Sequence, residues 1–143
     1  MTVAGGAAAG GAAAGGAAAG GGAVRFGVLA PTSMVARLAV VPAIVQSGSA
    51  ELVAVASRSV GAGSVPVVPP EVPPEVPWLG GYEDVLGDKR VEAVYIPLPN
   101  SMHREWVERA ADAGKHVLCE KPLGTTAADA AAMARRCKER GVV

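Results

Sequence analysis

Aromatic side chains are almost missing from this sequence, with two Trp, two Tyr and one Phe in 143 residues. Any core must therefore be built from Val, Leu, Ile and Ala. Cysteine is as scarce, and Cys119 and Cys137 make no disulfide framework. With two histidines they show no ligand spacing for a metal, so no metal site is expected. A reducing cytoplasm is the expected compartment. Excess charge of either sign is missing too, since 13 Lys and Arg balance 13 Asp and Glu. No electrostatic footprint for nucleic acid or an anionic membrane is left. No charged side chain precedes Arg25. A secretory leader needs a basic start and a strongly apolar centre, and Ala and Gly are too weakly apolar to hold a membrane helix.

What stands before Arg25 is a repeated AAAGG unit, such as Ala7-Ala8-Ala9-Gly10-Gly11. It buries no large side chain and cannot offset the entropy of ordering itself. A disordered tail over residues 1–23 is expected, and one domain over residues 24–143. Its glycines precede the first strand, so they do not read as a phosphate loop. A second biased stretch, SVPVVPPEVPPEVPW over residues 64–78, holds too many prolines for a helix. Polyproline II or an irregular loop is expected, acting as a spacer or as a ligand for an SH3-type or WW-type partner.

Between these stretches, apolar runs alternate with amphipathic ones. Val24–Leu29, Glu51–Ala56, Val91–Ile96 and His116–Cys119 read as strands. Ser33–Gln46, Ser101–Ala113 and Thr126–Arg140 read as helices, with a helical turn at Tyr82–Leu86. In the first helix Val35, Leu38, Ala39 and Val45 mark an apolar face, and Pro42 should kink it. Gly114 should end the second helix, and Thr126 with Asp129 imitates a capping box at the third. The alternation predicts an α/β fold, a doubly wound parallel sheet between two layers.

In such a sheet, ligands sit beyond the carboxyl ends of the strands. The stretch YIPLPNSMHREWVERAADAGKHVLCEKPL, from Tyr95 to Leu123, ends two strands in polar residues. Asn100, His103, Glu120 and Lys121 should therefore converge on one crevice. A charged pair directly after a buried strand is hard to explain by packing alone. PLPNSMH followed by GKHVLCEKPL, with the EKP about twenty residues beyond PNxxH, resembles the glucose–fructose oxidoreductase/inositol dehydrogenase/MocA-type family of NAD(P)-dependent oxidoreductases. The resemblance runs from about Val24 to Val143. It implies a Rossmann-like nucleotide-binding domain, with Lys121 of Glu-Lys-Pro as the active-site lysine. It also implies that the Pro-Asn-x-x-His motif, with Pro97 before it, lies beside the nicotinamide. Its members move a hydride between the cofactor and a sugar-like or cyclitol-like alcohol or carbonyl. They carry a second α/β domain, so a chain stopping at Val143 reads as truncated. An inactive remnant that binds nucleotide weakly or not at all is the competing reading, and an interaction module acting through the prolines is a third. A homo-oligomer is compatible with the sequence.

Each candidate residue also has a plainer role. The loop Ala30-Pro31-Thr32-Ser33-Met34-Val35 occupies the place of the family's Gly-x-Gly-x-x-Gly/Ala, with Ala30 and Thr32 at the glycine positions and Val35 at the last. Backbone amides and the Thr32 and Ser33 hydroxyls can still meet a pyrophosphate at the helix start, or the loop is a tight connection that binds nothing. Ser57-Arg58 ends the second strand where NAD-preferring proteins present an acid. A guanidinium there suits a 2′-phosphate, so NADP is expected ahead of NAD; the plain alternative is a solvated arginine. Trp106 and Val107 share the helix face of His103 and read as core. His103 is either a neighbour of the nicotinamide or a structural histidine, and Asn100 is either a site residue or a helix cap. His116 reads as structural. Lys121 is the catalytic candidate, against a surface ion pair, with Glu120 holding its ammonium in position.

Overall fold

The computed structural model describes residues 22–58 and 67–143. The expected tail lies, up to residue 21, outside the described residues, as do residues 64–66 of the proline-rich stretch. Strand β1 is Val24–Leu29, β2 Ala50–Ala56, β3 Trp78–Leu79, β4 Ala93–Ile96 and β5 His116–Cys119. Their order across the sheet is β3-β2-β1-β4-β5, and every pairing is parallel. β1 thus has β2 on one side and β4 on the other, which makes its carboxyl end the topological switch point.

Helices α2 (Tyr82–Gly87), α3 (Asn100–Asp112) and α4 (Ala127–Arg140) cover one face. They pack Val85, Trp106, Val107, Ala110 and Met133 against Leu29, Ala54, Val94 and Ile96. Gly27 of β1 lets α2 come this close: a Cβ there would lie 2.4 Å from a Val85 methyl carbon. The other face is covered by the first helix and the proline-rich segment, around Val28, Leu52, Val55 and Tyr95. α3 ends as read, in a glycine of left-handed backbone, Gly114 at φ 72°, and α4 ends in the same way at Gly141, φ 68°. In each, the amide after the glycine bonds a carbonyl five residues back, Lys115 to Ala110 and Val142 to Cys137. At the start of α4, Thr126 Oγ1 accepts from the Asp129 amide at 3.1 Å and donates to Asp129 Oδ2 at 2.9 Å. The shorter acid bonds the cap hydroxyl, where a longer one would reach for the cap amide.

One expectation needs correction. The first helix is a π-helical turn, Ala36–Val40, followed by α1, Val41–Gln46. Pro42 has no amide to give and its ring crowds the preceding turn, so the helix widens ahead of it. The buried side chains are Ala36, Val41 and Ile44, while Val35, Leu38, Ala39 and Val45 are exposed. Ala36 and Val41 are five residues apart, the π spacing, so an α-helical period assigns the wrong face.

β3 was not legible at all, being two residues long and preceded by prolines. Where a crossover helix would stand, the proline-rich segment covers the sheet. Pro69 is buried, Val72 lies in the second core, and Arg37 grips Glu71 with two hydrogen bonds of 3.2 Å. From residue 67 to 77 the proline-rich stretch is irregular and mostly docked, although Val67 and Val68 are exposed.

Candidate functional site

A concavity of about 710 Å³ opens at the amino ends of the strands among Arg25, Glu51, Glu92 and His116. Three of these groups are already paired. Arg25 bridges Glu92 at 3.1 Å, and His116 Nδ1 accepts from the Val143 amide at 3.1 Å. The candidate site is at the opposite end, in two smaller cavities that share Ser33, Pro97 and Leu98.

The first, about 370 Å³, sits over the ends of β1, β2 and β4, lined by Ala30, Thr32, Ser33, Ser57, Arg58 and Tyr82 among others. Ala30 has φ 51°, the left-handed backbone that glycine adopts freely. The turn of the family pattern is therefore kept without its glycine. Its amide holds the Ala56 carbonyl at 2.7 Å, tying the ends of β1 and β2 together. Ser33 Oγ accepts from the Ala36 amide at 3.2 Å, which caps the helix and leaves its hydroxyl hydrogen to donate. Ser57 is buried and Arg58 exposed at the rim. Tyr82, not singled out from sequence, is 8% exposed in this cavity, and burial pushes its hydroxyl up. As the first residue of α2 it read only as helix.

The second cavity, about 180 Å³, is lined by Ser33, Met34, Val35, Pro97, Leu98, Glu120 and Lys121. The Glu120 amide bonds the Ile96 carbonyl at 3.1 Å, so β5 delivers the charged pair beside the end of β4. Glu120 Oε1 accepts from the Tyr95 hydroxyl at 2.8 Å, and Oε2 accepts from the Lys121 amide at 3.2 Å. Its carboxylate thus faces the sheet, and no ion pair to the Lys121 ammonium forms among the described residues. That corrects the expectation that Glu120 holds the ammonium. Lys121 is exposed. Cys119, one residue before Glu120, has its thiol pushed up to about 11, by burial first and by Glu120 second. It is a poor nucleophile there. Tyr95 could have been found from sequence as the one polar side chain in the run AVYI.

His103 is fully buried. Its Nε2 lies 2.7 Å from the Leu98 carbonyl, and its Nδ1 lies 3.1 and 3.2 Å from those of Pro122 and Leu123. The ring bridges the loops after β4 and β5 beneath the crevice and is sealed from its floor. Asn100 is exposed, begins α3 and makes no capping bond, so the cap reading fails. It lines neither cavity. Ala30, Thr32, Ser33, Met34, Ser57, Arg58, Pro97, Glu120 and Lys121 all line one or both.

The donors fit a dinucleotide. Hydroxyls of Thr32 and Ser33, a helix start and a guanidinium surround the larger cavity, and an ammonium stands at the smaller. Among the described residues no group of three or more His, Cys, Asp or Glu could hold a metal ion, and no helix is long and apolar enough to cross a membrane.

Residues 30–143 match the model of the oxidoreductase family with an NAD-binding Rossmann fold. The chain is 43% identical over 117 residues to D-xylose 1-dehydrogenase (NADP(+)) 2 of Haloferax volcanii, covering 82% of this chain and 34% of that protein. It is 38% identical over 120 residues to a dTDP-3,4-didehydro-2,6-dideoxy-alpha-D-glucose 3-reductase of Saccharopolyspora spinosa, covering 84% and 35%. The fold superposes on a crystal structure of a 3-ketoreductase from Actinomadura kijaniata in complex with TDP-benzene and NADP. The TM-score is 0.70 at 32% identity, covering 85% of this chain and 37% of that one. The chain thus spans about a third of the length of these relatives. It belongs to the glucose–fructose oxidoreductase/inositol dehydrogenase/MocA-type oxidoreductase family, whose NAD-binding Rossmann domain it forms.

Proposed function

We propose that this chain is the coenzyme-binding part of an NADP-preferring oxidoreductase acting on a sugar-like or polyol-like alcohol or carbonyl. The observation that supports it most is the pair of adjoining cavities at the switch point, with Arg58 at one and Lys121 at the other. Ala30, Thr32, Ser33, Ser57 and Arg58 would hold the phosphates and the 2′-phosphate end. Met34, Pro97, Glu120 and Lys121 would border the nicotinamide, with Asn100 at its edge and His103 fixing the loops beneath. By their names one relative acts on D-xylose with NADP(+) and another on a dTDP-linked sugar, which supports a sugar class here.

When bound, the nicotinamide dinucleotide supplies or accepts the hydride. The Lys121 ammonium gives a proton to the substrate oxygen as a carbonyl is reduced, or takes one through its amine as an alcohol is oxidised. Buried Pro97 and Leu98 line the wall against which the reacting groups are held, and help keep water from them. Calorimetric titration of the chain with NADP and NAD tests the reading. The expected result is saturable binding, tighter for NADP. No binding of either dinucleotide would refute it.

A further inference from the structure

Tyr95 has no part in the coenzyme and proton roles assigned above, yet it is polar, central and 1% exposed. It sits on β4 with its hydroxyl on Glu120 Oε1 at 2.8 Å, while the Lys121 amide occupies Oε2 at 3.2 Å. Both carboxylate oxygens are therefore drawn toward the backbone and the sheet. Lys121 is the next residue, its exposed ammonium the nearest cation by sequence, yet the two side chains form no ion pair among the described residues. We propose that Tyr95 is a positioning residue for Lys121: its hydroxyl holds the Glu120 carboxylate down and so keeps it from neutralising the ammonium.

The competition favours this arrangement. A hydrogen bond from a buried phenol to a carboxylate is charge-assisted and shielded from water. An ion pair at the exposed Lys121 head would be solvated and weak. Burial and the Glu120 contact both raise the Tyr95 hydroxyl above its ordinary value, so it stays a donor across the neutral range. Without that hydroxyl, Oε1 has lost its donor and the carboxylate turns to Lys121. The inference gives a reason why a Glu-Lys pair at a strand end leaves a working lysine. It rests on Lys121 being the proton carrier proposed above, but its test needs no coenzyme.

The four lysines supply the test within the 143-residue chain. Acetylation by the N-hydroxysuccinimide ester of acetic acid is followed at each one by mass spectrometry. Lys89 and Lys138 are exposed and serve as references, and buried Lys115 reports loss of fold. Tyr95→Phe should slow Lys121 about threefold or more relative to Lys89 and Lys138, the scale of an exposed ion pair, with Lys115 still protected. Adding Glu120→Gln to that variant should restore the original ratio. Glu120→Gln alone should leave the ratio unchanged, because the carboxylate is not on the ammonium to begin with. An unchanged ratio in Tyr95→Phe, or slow labelling that persists in the double variant, would overturn the proposal. A faster Lys121 in Glu120→Gln alone would also overturn it, and that arm remains decisive even if Tyr95→Phe unfolds. Failure to bind NADP would strike the proposed function and leave this result standing.

Discussion

His103 Nε2 lies 2.7 Å from the carbonyl oxygen of Leu98, in a part of the molecule with no solvent access to the ring. The other nitrogen reaches the loop that carries Lys121, so one side chain sets the spacing between the two strand ends. Carbonyls only accept, so the ring N–H serves one side of this bridge, and a hydrocarbon in its place would strand that acceptor. We expect His103→Leu to lower the unfolding free energy by about 2–4 kcal/mol, the range for orphaned buried acceptors plus imperfect packing. Urea unfolding checks it. A loss below about 0.5 kcal/mol, the range of an ordinary surface change, would mean that the bridge carries no weight.

Arg58 stands at the rim of the larger cavity and Ser57 behind it. If the guanidinium meets a 2′-phosphate, Arg58→Asp should cut the NADP-to-NAD affinity ratio about tenfold or more, or reverse it. Paired titrations give the two dissociation constants. An unchanged ratio removes Arg58 from the site.

Ala30 adopts φ 51°, where a side chain is strained. Ala30→Gly relieves about 1 kcal/mol of that strain and loses about 0.5–1 kcal/mol to glycine's greater freedom when unfolded. Stability should therefore move little, while NADP affinity rises because a methyl leaves the phosphate path. Weaker binding by the glycine variant would count against this loop as the cradle.

Val72 is 4% exposed and Val67 85% exposed, five residues apart in the proline-rich segment. Val72→Ala should cost about 2 kcal/mol, the loss of two buried methyls. Val67→Ala should stay within about 0.5 kcal/mol. Equal effects in thermal unfolding would mean that the segment is not docked.

Asp129 is held below its ordinary value of 3.8 by the hydroxyls of Thr125 and Thr126 first, and by Arg104 after them. A carboxyl lowered on folding contributes stability in full above its unfolded value. It loses that contribution as pH falls through its depressed folded value. Between pH 5 and pH 2, Asp129→Asn should therefore show a shallower loss of stability than the parent. Superimposable acid limbs would contradict the assignment.

The sequence by itself determined four of the five strands, the parallel layering, the glycine end of α3 and the family, because these follow from local residue patterns. β-branched runs, helical periods and the Pro-Asn-x-x-His and Glu-Lys-Pro motifs act over a few residues and survive without context. Whatever depends on packing at a distance had to wait for the fold. The period of the first helix pointed at Val35 and Leu38, yet a π turn ahead of Pro42 buries Ala36 and Val41 instead. A helix was missing by composition, and only the docking of Val72 and the Arg37–Glu71 clasp covered its place. Glu120 reads beside Lys121 as an ion pair, but Tyr95, 25 residues earlier, takes its carboxylate. His103 reads beside the nicotinamide, but its ring is spent on three carbonyls from two loops. A side chain's hydrogen-bond partner is decided by which strands lie next to each other, and that is a property of the sheet rather than of the neighbouring residues.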